Sequence, residues 1–296
     1  MAYWLNAKNA QKILKKTSFL LRYGSALPFL IITCMFEGIP LVSMVIRSFT
    51  KEYGRSFTLD NYIKEIFQRP VYLASIKITL RYSLQSALVS LVIVVITAGL
   101  LTYSRKKTKQ FYITLLTVTS NFWGVPLAFS FISLLGTSGV LVQAARMINF
   151  KPLAEYNLYS LDGLFLLYIY FQIPLGTLLM LPAFEAIRPE WRESAVLLQA
   201  SGLQFWARVG IPVMIPSIMG TFSMLFANAI TAYATPMVMV NNAPFIGIHI
   251  ANIFIGDNRP RPNMGSAFSM VMLVFIFIAL GLSNLVSRIC SKGGKN

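Results

Sequence analysis

Long stretches without Asp, Glu, Lys or Arg recur along the chain, and short charged segments separate them. A helix needs about 20 apolar residues to cross a bilayer core that is roughly 30 Å thick. Six stretches meet this requirement, and the first of them carries Glu37 and Arg47. The pattern therefore predicts six transmembrane helices, at about residues 27–49, 80–104, 111–135, 163–184, 213–239 and 266–288.

The composition also indicates a membrane protein. Apolar residues make up 56% of the chain and charged residues only 12%, whereas soluble domains usually carry about 25% charged residues. A single soluble core cannot hide that much apolar surface, and a disordered chain would be polar and highly charged. We therefore expect an all-α polytopic membrane protein.

The charge distribution predicts the orientation of the chain in the membrane. The net charge is +16. The sequence has no basic stripe with interleaved aromatic residues, so we do not expect nucleic-acid binding. Cytoplasmic loops are enriched in Lys and Arg, and the turn Arg105–Lys109 is strongly basic. We expect both termini in the cytoplasm, with a basic segment over residues 1–26, a six-helix domain over residues 27–290 and a tail over residues 291–296.

One inner segment, residues 185–212, is longer than a simple connection. Pro189 can occupy the first turn of a helix, where its missing N–H is not needed, and apolar residues follow at helical spacing. Gly202 can end this helix, and a second short helix over about residues 203–209 would end before Pro212. The pair could rest on lipid headgroups or dock onto a partner. Docking would bury the apolar side of three residues, Ala195, Leu198 and Trp206.

This inner segment resembles the coupling loop of permease subunits of binding-protein-dependent ABC importers. The family pattern is Glu-Ala-Ala, three residues, Gly, nine residues, Ile, one residue and Leu-Pro. Gln199 replaces the family's Gly, and we expect Gly202 to take over the turn. The six spans and the place of the motif after the fourth span extend the resemblance. The residues at the spacings of the pattern are Glu193, Ser194, Ala195, Gln199, Val209, Ile211 and Pro212.

The resemblance implies the fold of a type I (MetI-like) ABC importer permease in the bacterial cytoplasmic membrane. It implies a pathway between two permeases, which are copies of one chain or two different chains. It further implies two ATPase subunits and an extracytoplasmic binding protein or lipoprotein. The chain has no Walker A pattern, so ATP and Mg²⁺ would bind the ATPase, and this chain would be a transport subunit without a cofactor. The residues that would couple to the ATPase are Glu193, Ser194, Ala195, Gln199, Gly202 and Pro212.

A weaker resemblance concerns the cargo. Permeases for polyamines, ferric iron, thiamine and phosphonates have a proline near the outer end of the fifth span and a polar turn behind it, like Pro236 and residues 241–244 here. This resemblance favours polyamine uptake. Small polar residues also pack helix against helix, and that alternative stays open for each of the residues that could line the pathway: Asn228, Thr231, Tyr233 and Thr235.

Two other classes of membrane protein compete with this interpretation. A secondary transporter driven by an ion gradient would show repeats and buried membrane charges, and an intramembrane enzyme would need a nucleophile with a base or a zinc motif. The chain has one histidine, His249, which we expect at the surface. It has two cysteines, Cys34 and Cys290, which lie far apart, so we predict no metal site.

Glu37 is unusual because it lies inside the first predicted span. A carboxylate within a membrane is costly and usually faces protein or water. Glu37 could pair with Lys77 or Arg81, or it could line the route of a cationic substrate. The family resemblance implies a peripheral first helix, which favours a structural role.

Overall fold

Helices form nearly all of the regular structure in the described part of the chain. The computed structural model describes residues 24, 26–54, 56–240, 243–255 and 259–293, and the side chains of 290–293 are not described. The predicted basic segment therefore lies almost entirely outside the described residues. The same holds for residues 241 and 242 of the polar turn and for the side chain of Cys290.

Six helical stretches are long and apolar enough to cross a membrane, which confirms the predicted fold class; the third, Val125–Met147, consists of two shorter consecutive helices. The β-pairing found among the described residues is one isolated bridge between Thr50 and Phe57. We number the longer helices in chain order: α1 (Leu27–Ser48), α2 (Pro70–Thr102), α3 (Lys106–Ser120), α4 (Val125–Leu135), α5 (Val140–Met147), α6 (Leu161–Glu185), α7 (Pro189–Leu197), α8 (Gly202–Thr231), α9 (Ala234–Met239), α10 (Ile246–Ile255) and α11 (Pro262–Gly293).

The centre of the bundle is the contact of α2 with α6 and α8. Small side chains allow this close approach, and polar groups bond across it. The amide of Gln172 on α6 donates to Ser86 Oγ on α2 at 3.1 Å, and the hydroxyls of Thr97 and Thr177 lie 2.9 Å apart. The buried small residues of α2 are Ser75, Thr79, Ser83, Ser86, Ala87, Ser90 and Ala98.

The first helix lies at the periphery of the bundle. It packs on α11, and none of its most apolar stretch is buried. Glu37 is exposed within a π turn, Cys34–Gly38, and it forms no ion pair within the described residues. Of the alternatives for Glu37, the structure does not show pairing with Lys77 or Arg81 on α2, because α1 packs on the last helix instead.

Two of the six predicted spans are not single helices. The span predicted over residues 111–135 breaks between Ser120 and Val125, and the span predicted over residues 213–239 breaks between Thr231 and Ala234. Proline clashes with the carbonyl four residues before it. Pro126 and Pro236 place that position at residues 122 and 232, which lie within the two breaks.

The segments that precede α2 and α11 are joined by polar contacts. Glu65 binds Arg69 at 2.7 Å and Arg261 at 3.1 Å, and these guanidinium groups lower the pKa of its carboxyl. His249 on α10 is half-buried, and its ring contacts the edge of Tyr72 with centroids 5.3 Å apart. The expectation of a surface histidine is therefore wrong, and burial lowers the pKa of this imidazole.

Candidate coupling loop and central cavity

The candidate coupling loop, residues 185–212 and called the coupling loop below, contains one separate helix rather than two. Pro189 occupies the first turn of α7, as predicted. The helix that begins at Gly202 does not end before Pro212 but continues to Thr231 as α8. A π turn over Trp206–Gly210 lies where the missing N–H of Pro212 interrupts the regular ladder. The coupling loop is therefore continuous with the fifth span.

The turn after α7 is made by Gln199. This residue has a φ of 55°, in the left-handed region. The N–H of Ala200 bonds to the carbonyl of Ala195, and the N–H of Gln199 bonds to that of Val196, both at 2.9 Å. These two bonds form a Schellman motif, in which glycine is usual at the left-handed position. The expectation that Gly202 takes over the turn is wrong, because the chain turns at Gln199 itself.

Gly202 instead begins α8. Ser201 caps this helix, since its hydroxyl accepts from the N–H of Gln204 and the Gln204 side chain accepts from the N–H of Ser201. No atom outside the immediate backbone lies within 4 Å of the position that a Cβ at residue 202 would take. A glycine is therefore not required at this position.

We predict that Gln199→Gly stabilises the protein. A non-glycine residue in the left-handed region costs about 1 kcal/mol, and the larger entropy of glycine in the unfolded chain offsets part of this gain. The unfolding temperature of the detergent-purified protein should rise by roughly 1–3 °C. Gly202→Ala is the matched control and should not lower it. A loss of stability in Gly202→Ala, with none gained in Gln199→Gly, would contradict the turn described here.

The coupling loop exposes a cluster of large apolar side chains. Leu197 and Leu198 are 84% and 81% exposed, and Leu203 is 83% exposed. Glu193 and Ser194 are also exposed, while Ala195 is half-buried. Of the predicted docking residues, Leu198 is therefore free to bind a partner.

Trp206 does not belong to this exposed cluster. Its ring packs against Phe184 at the end of α6, with centroids 5.8 Å apart, and a Cβ added at Gly210 would overlap it. Trp206 thus joins α8 to the core of its own chain. The prediction that a partner buries its apolar face is not supported by this geometry.

A cavity of about 290 Å³ lies where the two helix breaks meet. The break between α3 and α4 supplies its first wall, the break between α8 and α9 its second, and α6 its third. All four polar residues predicted from the fifth span line it: Asn228, Thr231, Tyr233 and Thr235. The structure therefore brings these residues together, although their role in a pathway stays a prediction.

The polar groups of the cavity differ in their availability to a ligand. The hydroxyl of Thr231 donates to the carbonyl of Ala227 at 2.7 Å, and that of Thr235 donates to the carbonyl of Gly124 at 3.4 Å. The side chains of Asn228 and Tyr233 have no hydrogen-bond partner within the described residues. These two groups are therefore free to bind a ligand.

The rest of the lining is aromatic, apolar or neutral. Trp123 and Phe171 join Tyr233 as aromatic residues, and no Asp, Glu, Lys or Arg lines the cavity. Sequence reasoning missed Ser120, Trp123 and Phe171, since they lie outside the fifth span. Gly124, which has a φ of 73°, lies two residues before Pro126, and this pair was the available signal for the first break.

Comparison with known proteins gives remote but extensive similarity. No family model matches the chain. The chain is 23% identical over 245 residues to the thiamine transport system permease protein ThiP of Haemophilus influenzae, a match that covers 82% of this chain and 43% of that protein. It is 22% identical over 179 residues to the probable sulfate transport system permease protein cysT of a Helicosporidium species, covering 59% and 63%. The chain thus spans less than two thirds of these relatives.

Solved structures match nearly the whole chain. A crystal structure of a bacterial ABC transporter involved in the import of alginate superposes with a TM-score of 0.71 and 20% identity, covering 93% of this chain and 99% of that chain. A structure of the alginate transporter in complex with a periplasmic protein bound to an alginate pentasaccharide gives a TM-score of 0.73, also at 20% identity, covering 94% and 96%. The resemblance predicted from the sequence is therefore confirmed: the chain has the fold of an ABC importer permease, and its sequence relatives are transport system permease proteins.

Proposed function

We propose that this chain is a permease subunit of an ATP-driven ABC importer in a bacterial cytoplasmic membrane, with both termini in the cytoplasm. It forms half of the translocation pathway, and a second permease forms the other half. Two ATPase subunits bind ATP and Mg²⁺, and an extracytoplasmic binding protein delivers the cargo. The observation that carries the proposal is the set of exposed leucines on the coupling loop. The fold that this chain shares with importer permeases supports it.

The exposed leucines favour a protein partner at this loop. Burial of apolar surface contributes about 25 cal/mol per Å² before the costs of association. Glu193, Ser194, Ala195, Gln199, Gly202 and Pro212 are the residues that we propose to form or shape the docked loop. Arg192 and Arg208, which are exposed on this loop, would orient the partner more than supply affinity.

Co-purification tests the partner directly. The chain, extracted from its native membrane with mild detergent, should carry a second protein that has a Walker A sequence and hydrolyses ATP. A cysteine at Ser194 or Ser201 should cross-link to that ATPase with a yield that changes when ATP is added. A chain that purifies without any ATPase and takes up solute under an ion gradient would be a secondary transporter.

The cavity adds information about the cargo. Its aromatic side chains, Trp123, Phe171 and Tyr233, present ring faces that attract cations. We propose an organic cation as cargo. Polyamines are the first candidate, because the sequence around Pro236 resembles that of permeases in the polyamine group. Thiamine is the second candidate, because the Haemophilus influenzae relative is a thiamine transport system permease protein.

We predict that Tyr233→Ala weakens uptake of this cation, because it removes an aromatic face and a free hydroxyl from the cavity. Loss of a cation–π contact should raise the concentration for half-maximal uptake by roughly 2- to 30-fold. Tyr53→Ala, at an outer residue that is 83% exposed, is the control. Competition of labelled uptake by spermidine and by thiamine separates the two cargoes. Normal uptake in Tyr233→Ala would exclude the cavity from the pathway.

A further inference from the structure

An apolar groove of about 440 Å³ opens beside the inner end of α2. One wall is α2 from Val95 to Leu100 with Tyr103 directly after the helix, the other is α8 from Trp206 to Ile218, and Phe184 of α6 lies between them. All of the side chains that line it are apolar or aromatic. The groove therefore follows two neighbouring helices and offers no polar group along its length other than the Tyr103 hydroxyl and the Trp206 N–H.

The dimensions of the groove match part of one lipid chain. Eight residue steps along α2 span about 12 Å, and one leaflet of the hydrocarbon core is roughly 15 Å deep. Gly99 opens the groove, since a Cβ there would lie 3.3 Å from the Phe184 ring. Ile96 and Leu100, which also line it, are 57% and 68% exposed. Nothing within the described chain covers these two side chains.

The inner mouth of the groove is basic. Tyr103 also lines a neighbouring cavity of about 620 Å³, together with Arg188, Arg192 and Glu193. The Arg192 guanidinium lies 5.3 Å from the centre of the Tyr103 ring, and neither arginine forms an ion pair within the described residues. Two arginines against one carboxylate leave an excess of positive charge where the apolar groove ends.

We infer that the groove binds an anionic phospholipid of the inner leaflet. One acyl chain lies between α2 and α8, and the phosphate meets Arg188 and Arg192 at the mouth. Basic pockets between helices on the cytoplasmic side of membrane proteins bind such headgroups. The inference goes beyond the proposed function. It rests on that function in one respect, the placement of the coupling loop on the cytoplasmic side of the membrane. Because Arg192 is on α7, the lipid ties the coupling loop to α2.

Lipid retention on the purified chain tests the inference without any ATPase or transport. The protein is incubated with phosphatidylglycerol or with phosphatidylcholine, and the bound lipid is counted by native mass spectrometry. Phosphatidylglycerol should be retained about tenfold better, the factor expected for one or two interfacial arginines. Arg192→Gln should lower this preference several-fold, while Arg208→Gln, outside the groove, should not.

Filling the groove provides the second arm. Gly99→Leu should abolish retention of the tightly bound lipid, and Gly281→Leu, on α11 with nothing within 4 Å of its added Cβ, should retain it. Both variants must elute as the wild type does in gel filtration. Equal retention of the two lipids, or unchanged retention in Gly99→Leu, overturns the inference. Loss of a bound second permease in Gly99→Leu, with lipid unchanged, would assign the groove to a protein helix instead.

Discussion

Leu197→Glu is expected to abolish ATP-driven uptake while leaving the protein folded in the membrane. Leu197 lies at the end of α7 and is 84% exposed, so the substitution removes little packing within the chain. If the coupling loop docks onto an ATPase, the new carboxylate is buried without a partner, which costs several kcal/mol. A cost of that size lowers docking more than a hundredfold. Uptake and membrane yield should be measured in the same cells.

A matched control separates docking from a general effect of charge. Leu59→Glu introduces the same carboxylate at a 47% exposed leucine outside the coupling loop, and it should leave uptake near normal. Leu197→Met keeps the apolar volume and should also transport. Normal uptake by Leu197→Glu at normal yield would show that the exposed leucines do not dock onto a partner.

Gly176→Leu is expected to remove most of the folded protein. Gly176 lies on α6 in the central contact with α2, and an added Cβ would come 2.6 Å from Val94 Cγ2 and 3.3 Å from Leu225 Cδ2. Overpacking a core typically costs about 1–3 kcal/mol, and leucine adds several more atoms to a site that already excludes one. This is a large part of the stability of most proteins. The folded fraction is measured by fluorescence-detected gel filtration.

Two variants keep this prediction specific. Gly220→Leu, on α8 with nothing within 4 Å of the added Cβ, should fold normally. In the milder variant Gly176→Ala, the added change Val94→Ala should restore the folded fraction, since it removes the methyl groups that the new Cβ approaches. Wild-type yield of Gly176→Leu would show that α2 and α6 are not in close contact there.

Much of the fold follows from the sequence because apolar length alone identifies a membrane helix. The helix breaks were missed for a physical reason. Both breaks precede a proline, Pro126 or Pro236, but a proline alone does not identify a break, since Pro174 and Pro182 lie inside the continuous helix α6. The use of polarity to choose candidate residues also explains why only part of the cavity lining was predicted. Its fifth-span residues were named from their polarity, whereas Trp123 and Phe171 resemble ordinary membrane residues.

The turn of the coupling loop was placed at the wrong residue for a different reason. Gln199 stands where the family pattern has glycine, and the chain forms a left-handed turn with Schellman hydrogen bonds at this glutamine. Sequence reasoning moved the turn to Gly202 because it ranked residues by conformational freedom alone. The capping pair Ser201 and Gln204, which follows the turn directly, was the local signal that α8 begins there.

The source of energy for uptake tests the proposed function most directly. The chain with its co-purified partners is reconstituted into liposomes, and uptake of the cargo is compared under two conditions. One supplies ATP without an ion gradient, and the other supplies a proton or sodium gradient without ATP. We predict uptake with ATP alone, none with a gradient alone, and no ATPase activity in this chain purified by itself. Uptake driven by a gradient in the absence of ATP would contradict the importer assignment.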